Sequence, residues 1–190
     1  MVARARLPLD HLPPSQMVSF RDLVSGEDHV ALVVGAFGGR PPLIRLHSEC
    51  LTGDVFGSLK CDCGPQLHEA LRLLGAEGGG VLLYLRQEGR GIGLANKLRA
   101  YQLQDRGLDT VEANARLGFA DDERDYAMAA AMLRALGIDR VRVLTNNPAK
   151  VAGLEAAGIE VAERVAHHMP ANPHNADYIA TKRAKSGHLP

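Results

Sequence analysis

Cys50, Cys61 and Cys63 are the only cysteines in the 190-residue chain, and their spacing, C-x10-C-x-C, gathers every thiol into one short stretch. Three thiols leave one over after any disulfide, so pairing within the chain does not use them all. Thiolates are soft, anionic ligands, and Zn²⁺ is the metal that most often collects them at neutral pH. Three such ligands are one short of a tetrahedron. A fourth protein ligand, for which His47 is the candidate, would make the metal a staple; an open fourth position would make it a catalyst. Three buried thiols without a chemical role are the remaining alternative, because free cysteine is among the most buried residue types. Lys60 and Asp62 flank the thiols, which suits a metal loop better than a buried strand.

Three further stretches carry chemistry-bearing side chains. Arg86-Gln87-Glu88-Gly89-Arg90-Gly91-Ile92-Gly93 follows a short apolar run, at a place where α/β proteins bind ligands, outside the carboxyl end of a strand. Its glycines let the backbone approach a phosphate, and Arg86 and Arg90 add charge. The spacing is neither that of a P-loop nor that of a dinucleotide fingerprint, and glycines also punctuate ordinary turns. Glu88 is the unusual member: a carboxylate could accept two hydrogen bonds from a guanine edge or help to hold Mg²⁺. Asp121-Asp122-Glu123-Arg124-Asp125 reads as an acidic helix start that complements the helix dipole, with room for a general base beside an electrophile or nucleophile. Thr145-Asn146-Asn147-Pro148-Ala149-Lys150 is a capping turn, or a second anion or base-contact site built on the Thr145 hydroxyl and Lys150.

The elements that must position these residues follow from periodicity. Val30 to Val34 and Pro42 to Leu46 read as strands, the second running straight into His47. Leu67, Ala70, Leu71 and Leu74 have helical spacing after Gly64-Pro65, and glycines 78 to 80 should end that helix. Val81 to Leu85 reads as a buried strand. After the Gly-rich loop, a helix carries Leu94, Leu98 and Tyr101 on one face, where Tyr101 could be core or catalytic. A helix from Asp121 or Asp122 would show Tyr126, Ala129, Ala130, Leu133 and Leu136 on one face, with Gly137 in the αL cap. Val141 to Leu144 is a strand, Asn147 caps a helix with Pro148 at its first position, Gly158 closes it, and Ile159 to Val165 is a strand. A Lys-rich helix follows Asn172-Pro173. Strands alternating with helices predict an α/β fold of layered mixed sheet covered by helices. Residues 1–16, with three prolines, are expected to form an extended arm before a single catalytic domain over 17–190.

Composition narrows the partners. A formal net charge of zero argues against nucleic acid, which calls for a basic surface, but leaves room for a small anion held by local arginines. No apolar run reaches the length of a membrane span, and the first residues lack the apolar region of a secretory signal. Clustered, unpaired thiols fit a reducing compartment, so a cytoplasmic location is expected.

Taken together, Arg45–Asp54, Cys61-Asp62-Cys63-Gly64, Tyr84–Arg90, Tyr101, Asp109–Asn114, Leu117–Asp125 and Leu144–Pro148 resemble, in order and spacing, the motifs of GTP cyclohydrolase II. The resemblance runs from about Arg45 to the C-terminus. It implies a homodimeric enzyme with one Zn²⁺ per subunit and a requirement for Mg²⁺, converting GTP to 2,5-diamino-6-ribosylamino-4(3H)-pyrimidinone 5′-phosphate, formate and pyrophosphate. Position by position, it implies that Cys50, Cys61 and Cys63 bind zinc. Arg45, His47, Ser48, Glu49, Gln66, Glu88, Gly89, Arg90, Thr110, Thr145 and Lys150 would contact GTP. Asp122 would be the proton acceptor, Arg124 a nucleophile or a phosphate stabiliser, and Tyr101 a neighbour of the imidazole ring. The alternatives are an enzyme serving another guanine-derived metabolite and a non-catalytic, zinc-stapled nucleotide-binding module.

Overall fold

Side chains alternate across the central strands, and that alternation decides what each face of the sheet buries. Val81, Leu83 and Leu85 are buried on one face with Ile44, Leu46, Val141 and Val143. Leu82 is buried on the other with Leu32, Val34, Leu43 and Leu144. With both faces covered, these strands read as nearly continuous apolar runs. The computed structural model describes residues 1–189. The strands are β1 (Ala3–Arg6), β2 (Ser15–Arg21), β3 (Asp28–Gly35), β4 (Leu43–Ser48), β5 (Gly79–Leu85), β6 (Arg140–Leu144) and β7 (Glu160–Val165). They form one mixed sheet in the order β1-β2-β3-β5-β4-β6-β7. The pairs β1–β2, β2–β3 and β3–β5 are antiparallel, whereas β4–β6 and β6–β7 are parallel.

The helices are α1 (Leu51–Asp54), α2 (Cys63–Ala76), α3 (Gly93–Gln104), α4 (Thr110–Arg116), α5 (Ala127–Ala135), α6 (Pro148–Ala156) and α7 (Ala176–Ala184), with a 3₁₀ turn at Glu88–Gly91. Two compact units can be distinguished. The first, Met1–His47, Leu67–Arg86 and Asp125–His167, holds the sheet. Ala129, Ala130, Met132 and Leu133 of α5 and Leu154 of α6 cover one face, and Ala70 and Leu74 of α2 cover the other. The second, Ser48–Gln66, Gln87–Arg124 and the residues from His168 on, contains α1, the first turn of α2, α3, α4 and α7. No helix among the described residues is long and apolar enough to cross a membrane.

The α/β layering and most expected elements are present. Asn147 caps α6 by accepting from Ala149 N at 2.9 Å, with Pro148 at the first position, and Gly137 has φ 74°. Four readings change. The segment expected as an arm over 1–16 carries β1, with Ala3 opposite Ser19 and Arg6 opposite Gln16. The boundary drawn at 16 falls inside β2. The β1 sequence Ala-Arg-Ala-Arg is exposed throughout, so no apolar alternation announces it; its arginines put charge on a sheet edge, a common guard against edge pairing. Gly79 and Gly80 belong to β5 instead of ending α2, because they pair with Gly35 and Val34 of β3, and a Cβ on Gly80 would lie 2.5 Å from Leu74 Cδ2.

The acidic cluster is not a helix start. Residues 121–125 are irregular and α5 begins at Ala127. Their carboxylates serve the loop itself: Glu123 Oε1 accepts from Ala120 N at 2.7 Å, and Asp122 Oδ1 from Arg124 N at 3.1 Å. Finally, Leu98 does not share the buried face of α3. It is 47% exposed, and Lys97 takes the inner position at 8%.

Candidate active site

The thiol cluster is built by two short segments of the second unit. Cys50 caps the one-turn helix α1, its N–H donating to Asp54 Oδ2 at 3.0 Å. Cys61 and Cys63 lie where a turn enters α2. The three sulfurs lie within 4.8 Å of one another, and no fourth His, Cys, Asp or Glu joins the group among the described residues. Cys50 Sγ and Cys61 Sγ are 3.7 Å apart; a tetrahedral zinc with sulfur ligands at about 2.3 Å sets them about 3.8 Å apart. Gly53 makes the convergence possible, since a Cβ there would lie 2.9 Å from Cys61 Sγ and 3.1 Å from Cys50 Sγ. Soft ligands, spacing and a glycine-cleared approach all fit zinc.

The charges are arranged to match. Hydrogen bonds from Cys61 and Cys63, and then Lys97, hold the Cys50 thiol far below its ordinary range. The bond to Cys50, with burial behind it, pushes the Cys61 thiol up to about 11. Lys97 Nζ donates to Cys50 Sγ at 3.0 Å and to Glu88 Oε1 at 2.7 Å. Burial disfavours its charge, but those two bonds outweigh it and hold the ammonium above the usual lysine range. Asp62, between two of the thiols, is buried; its oxygens accept from Lys182 Nζ of α7 at 3.0 and 3.3 Å and from Gln66 Nε2 at 2.6 Å.

Glu88 is committed mainly to its own chain. Oε2 accepts from Leu51 N at 2.7 Å, while Oε1 accepts from Gly89 N at 2.9 Å as well as from Lys97. A carboxylate offers about four acceptor positions, and three donors of this chain use Glu88. The following residues are bent sharply: Gly89 has φ 63° and Arg90 φ 62°. Left-handed backbone at a non-glycine residue is uncommon. Here Arg90 O accepts from Glu123 N at 3.1 Å, which helps to hold it. Arg90 Nη1 donates to Asp121 Oδ1 at 2.7 Å and to Ser186 Oγ at 3.3 Å, while its Nη2 is buried without a hydrogen-bond partner. An unspent guanidinium donor is what an anion site requires.

Asp122 and Arg124 meet fork to fork. Arg124 Nε donates to Asp122 Oδ1 at 2.7 Å and Nη2 to Asp122 Oδ2 at 2.5 Å, while Nη1 donates to Ser48 Oγ at 3.2 Å. Burial works against the Asp122 charge, but the Arg124 guanidinium beside it holds the carboxyl below the usual range. Ser48 also reaches Gln87 Oε1 at 3.4 Å. The arginine is therefore tied to the strand end that leads, through Glu49, into Cys50. Tyr101, on α3, has Lys60 Nζ 5.1 Å and Lys97 Nζ 5.8 Å from its ring centre. Burial pushes its phenol above the ordinary range, so it stays protonated. Thr110 begins α4 behind the Asp109–Glu112 capping box, and its Oγ1 accepts from Gln104 Nε2 at 3.4 Å.

The remaining expected residues belong to the first unit. Arg45 Nη1 donates to Leu144 O at 3.0 Å and Lys150 Nζ to Leu46 O at 2.7 Å. Thr145 Oγ1 accepts from Asn147 N at 3.0 Å. His47 stacks on Tyr84 with ring centres 5.5 Å apart, and it is not part of the thiol group. His47 lies near the carboxyl end of β4, and Thr145 and Lys150 follow β6, whereas Arg45 sits in the middle of β4. Sequence reasoning missed Lys97, Gly53 and Lys182. The signal for Lys97 was present: it is four residues before Tyr101, one helical turn away on the same face.

Comparison with known proteins gives a consistent result. The family model described as GTP cyclohydrolase II matches residues 1–166. The chain is 61% identical over 174 residues to "GTP cyclohydrolase-2" of Azotobacter vinelandii, covering 91% of this chain and 84% of that protein. It is 57% identical over 192 residues to the protein of the same name from Escherichia fergusonii, covering 99% and 95%. Against "Riboflavin biosynthesis protein RibBA" of Bacillus subtilis the identity is 58% over 176 residues, 92% of this chain but 44% of that protein. The chain thus spans less than half of that longer relative.

Proposed function

Because the chain belongs to the GTP cyclohydrolase II family, we propose that it converts GTP to 2,5-diamino-6-ribosylamino-4(3H)-pyrimidinone 5′-phosphate, formate and pyrophosphate, the first step of riboflavin biosynthesis. The observation that carries the reading is the convergence of three thiols on a segment to which Arg124 is also tied through Ser48. A nucleotide-binding module stapled by zinc would close the metal with His47, which is absent from the thiol group.

Cys50, Cys61 and Cys63 would hold one zinc per subunit, which when bound supplies Lewis acidity for opening the imidazole ring. The protonated Tyr101 phenol lies beside the same helix face as Lys97 and can donate a hydrogen bond to a ring nitrogen. Glu88 would accept from the base alongside the three donors of its own chain. Arg90 Nη2 offers an unspent donor to a phosphate oxygen. Arg45, His47, Glu49, Gln66, Gly89, Thr110, Thr145 and Lys150 are the further contacts with GTP that the family resemblance implies, and Mg²⁺ would accompany the triphosphate. The protein would act as a cytoplasmic homodimer.

The Arg124–Asp122 pair argues for electrostatics at the α-phosphorus. A guanidinium keeps its proton, and a carboxylate held below its usual range by that same guanidinium is a weak acceptor for it. Arg124 then stabilises charge on the phosphoryl oxygens while Asp122 fixes its fork. Incubation with GTP and Mg²⁺, followed by mass spectrometry for formate and pyrophosphate, tests the reading. Arg124→Ala should lose pyrophosphate release, and Arg124→Lys should keep a measurable part of it. Wild-type pyrophosphate release by Arg124→Ala would remove this residue from the reaction, and the absence of both products from wild-type protein would overturn the assignment.

A further inference from the structure

Lysine is among the residues least often buried, yet Lys97 is 8% exposed. Its ammonium is used on both sides, by Cys50 Sγ at 3.0 Å and Glu88 Oε1 at 2.7 Å. Glu88 in turn takes Leu51 N at 2.7 Å. One ion pair therefore grips Cys50 through its sulfur and through the peptide that follows it. The same carboxylate receives Gly89 N at 2.9 Å, so the thiol loop and the Arg90 loop are tied to one point on α3. The fit is close: a Cβ on Gly89 would lie 3.0 Å from Lys97 Cβ.

We propose that Lys97 is a positioning residue for the metal-ligand loop, tying the Cys50 sulfur to the Glu88 carboxylate and drawing electron density from that thiolate. The inference rests on the thiols being metal ligands, but not on the reaction that the loaded site performs. Three thiolates around a divalent ion leave one excess negative charge, and Glu88 beside them adds another. The ammonium offsets one of these charges. An N–H···S bond also lowers the energy of the sulfur lone pairs and weakens their donation, which is how groups behind a ligand tune a metal.

The test uses the full-length protein loaded with Co²⁺, whose sulfur-to-metal charge-transfer band reports on thiolate donation. Lys97→Met keeps the length of the side chain and removes the charged donor. Its charge-transfer band should move to lower energy, and zinc affinity, measured by competition with a chromophoric chelator, should fall roughly 10–100-fold. Lys97→Arg restores a charged N–H donor and should move both readouts back toward wild type. A side chain that merely fills space predicts no change in the band for Lys97→Met, and a wild-type spectrum with wild-type zinc affinity overturns the proposal. Should Lys97→Met fail to fold, Glu88→Gln tests the same link. It frees the ammonium to donate more strongly to Cys50 and should shift the band to higher energy; an unmoved band there also overturns the proposal. GTP turnover is scored separately, so a failed link and a failed reaction are read from different measurements. Wild-type protein without any charge-transfer band would overturn the link together with the metal reading beneath it.

Discussion

The two units are held together by different forces. In the first, the buried residues are mostly aliphatic, from Val18 and Ala31 through Ile44, Leu83 and Leu133 to Ile159, and burial of apolar area is the dominant favourable contribution. In the second, the buried apolar residues among those described are Cys50, Cys61, Ile92, Ala100 and Ala113, and they share the interior with Asp62, Lys97, Asn114 and Asn175. Fewer apolar side chains are fully buried in that unit. Ion pairs, hydrogen bonds and the thiol cluster therefore carry a larger share of its order. Under the proposed function a polar nucleotide would gain from this, because an oily interior offers few donors and acceptors.

The largest expected effect follows directly. Where metal binding and folding are coupled, removing the ion removes much of the stability. Stripping the metal with a chelator should raise amide hydrogen exchange strongly in residues 48–66, 87–124 and 168–189. Strands β3 and β5 and helix α5 should keep their protection. Equal loss in both units would erase the contrast drawn here.

Next comes the ion pair between α7 and the thiol turn. Lys182 and Asp62 have side-chain exposures of 14% and 8%, and leaving one buried charge without its partner costs roughly 3–5 kcal/mol. Lys182→Met should therefore loosen α7 and the turn at residues 58–64, read by limited proteolysis and exchange. The double substitution Lys182→Met/Asp62→Asn should recover most of the loss. A single substitution with no local effect would mean that α7 is held by other contacts.

Leu133→Ala is the matching test in the first unit. Leu133 is fully buried, and truncating such a leucine costs roughly 2–5 kcal/mol. The denaturant midpoint should fall while zinc affinity stays unchanged. A drop in affinity would show that the aliphatic core also governs the thiol cluster.

The smallest effect is acid lability, and here the units should behave alike. Burial pushes the His29 imidazole below its ordinary range, helped by Arg86 and opposed by Glu27, Asp22 and Asp28. Burial, with Lys182, Arg90 and Arg124, pushes His188 down to about 4, opposed by Ser186. Unfolded histidines titrate near 6.5. Below that pH the unfolded chain binds a proton that the folded one refuses, so stability falls with pH until the folded group also titrates. For His188 the window runs from about 6.5 down to about 4. His188→Gln should flatten the decline in the second unit and His29→Gln in the first; an unchanged slope would assign the acid response to other groups.

Much of this was legible in one dimension, for a physical reason. Clustering of all three thiols, helical spacing in α2 and α5, the Asn147-Pro148 cap and the buried run of β5 depend on residue type and near neighbours, and the chain carries both in its order. What it does not carry is who meets whom across long separations. Nothing local in Ala3–Arg6 makes a strand; the ladder to β2 does. In residues 121–125 the near-neighbour pair Arg124–Asp122 is joined by a distant partner, Arg90, whose carbonyl accepts from Glu123 N.

The sequence by itself determined the α/β layering and the clustering of all three thiols, since periodicity and motif spacing are properties of the chain. Only the tertiary structure decided that Leu98 turns outward while Lys97 is buried, and that Glu88 spends most of its carboxylate on its own loops. A buried charge is stable only beside partners that replace water. Those partners, Cys50 and Leu51, lie far from Glu88 and Lys97 in the chain and are brought to them by folding alone.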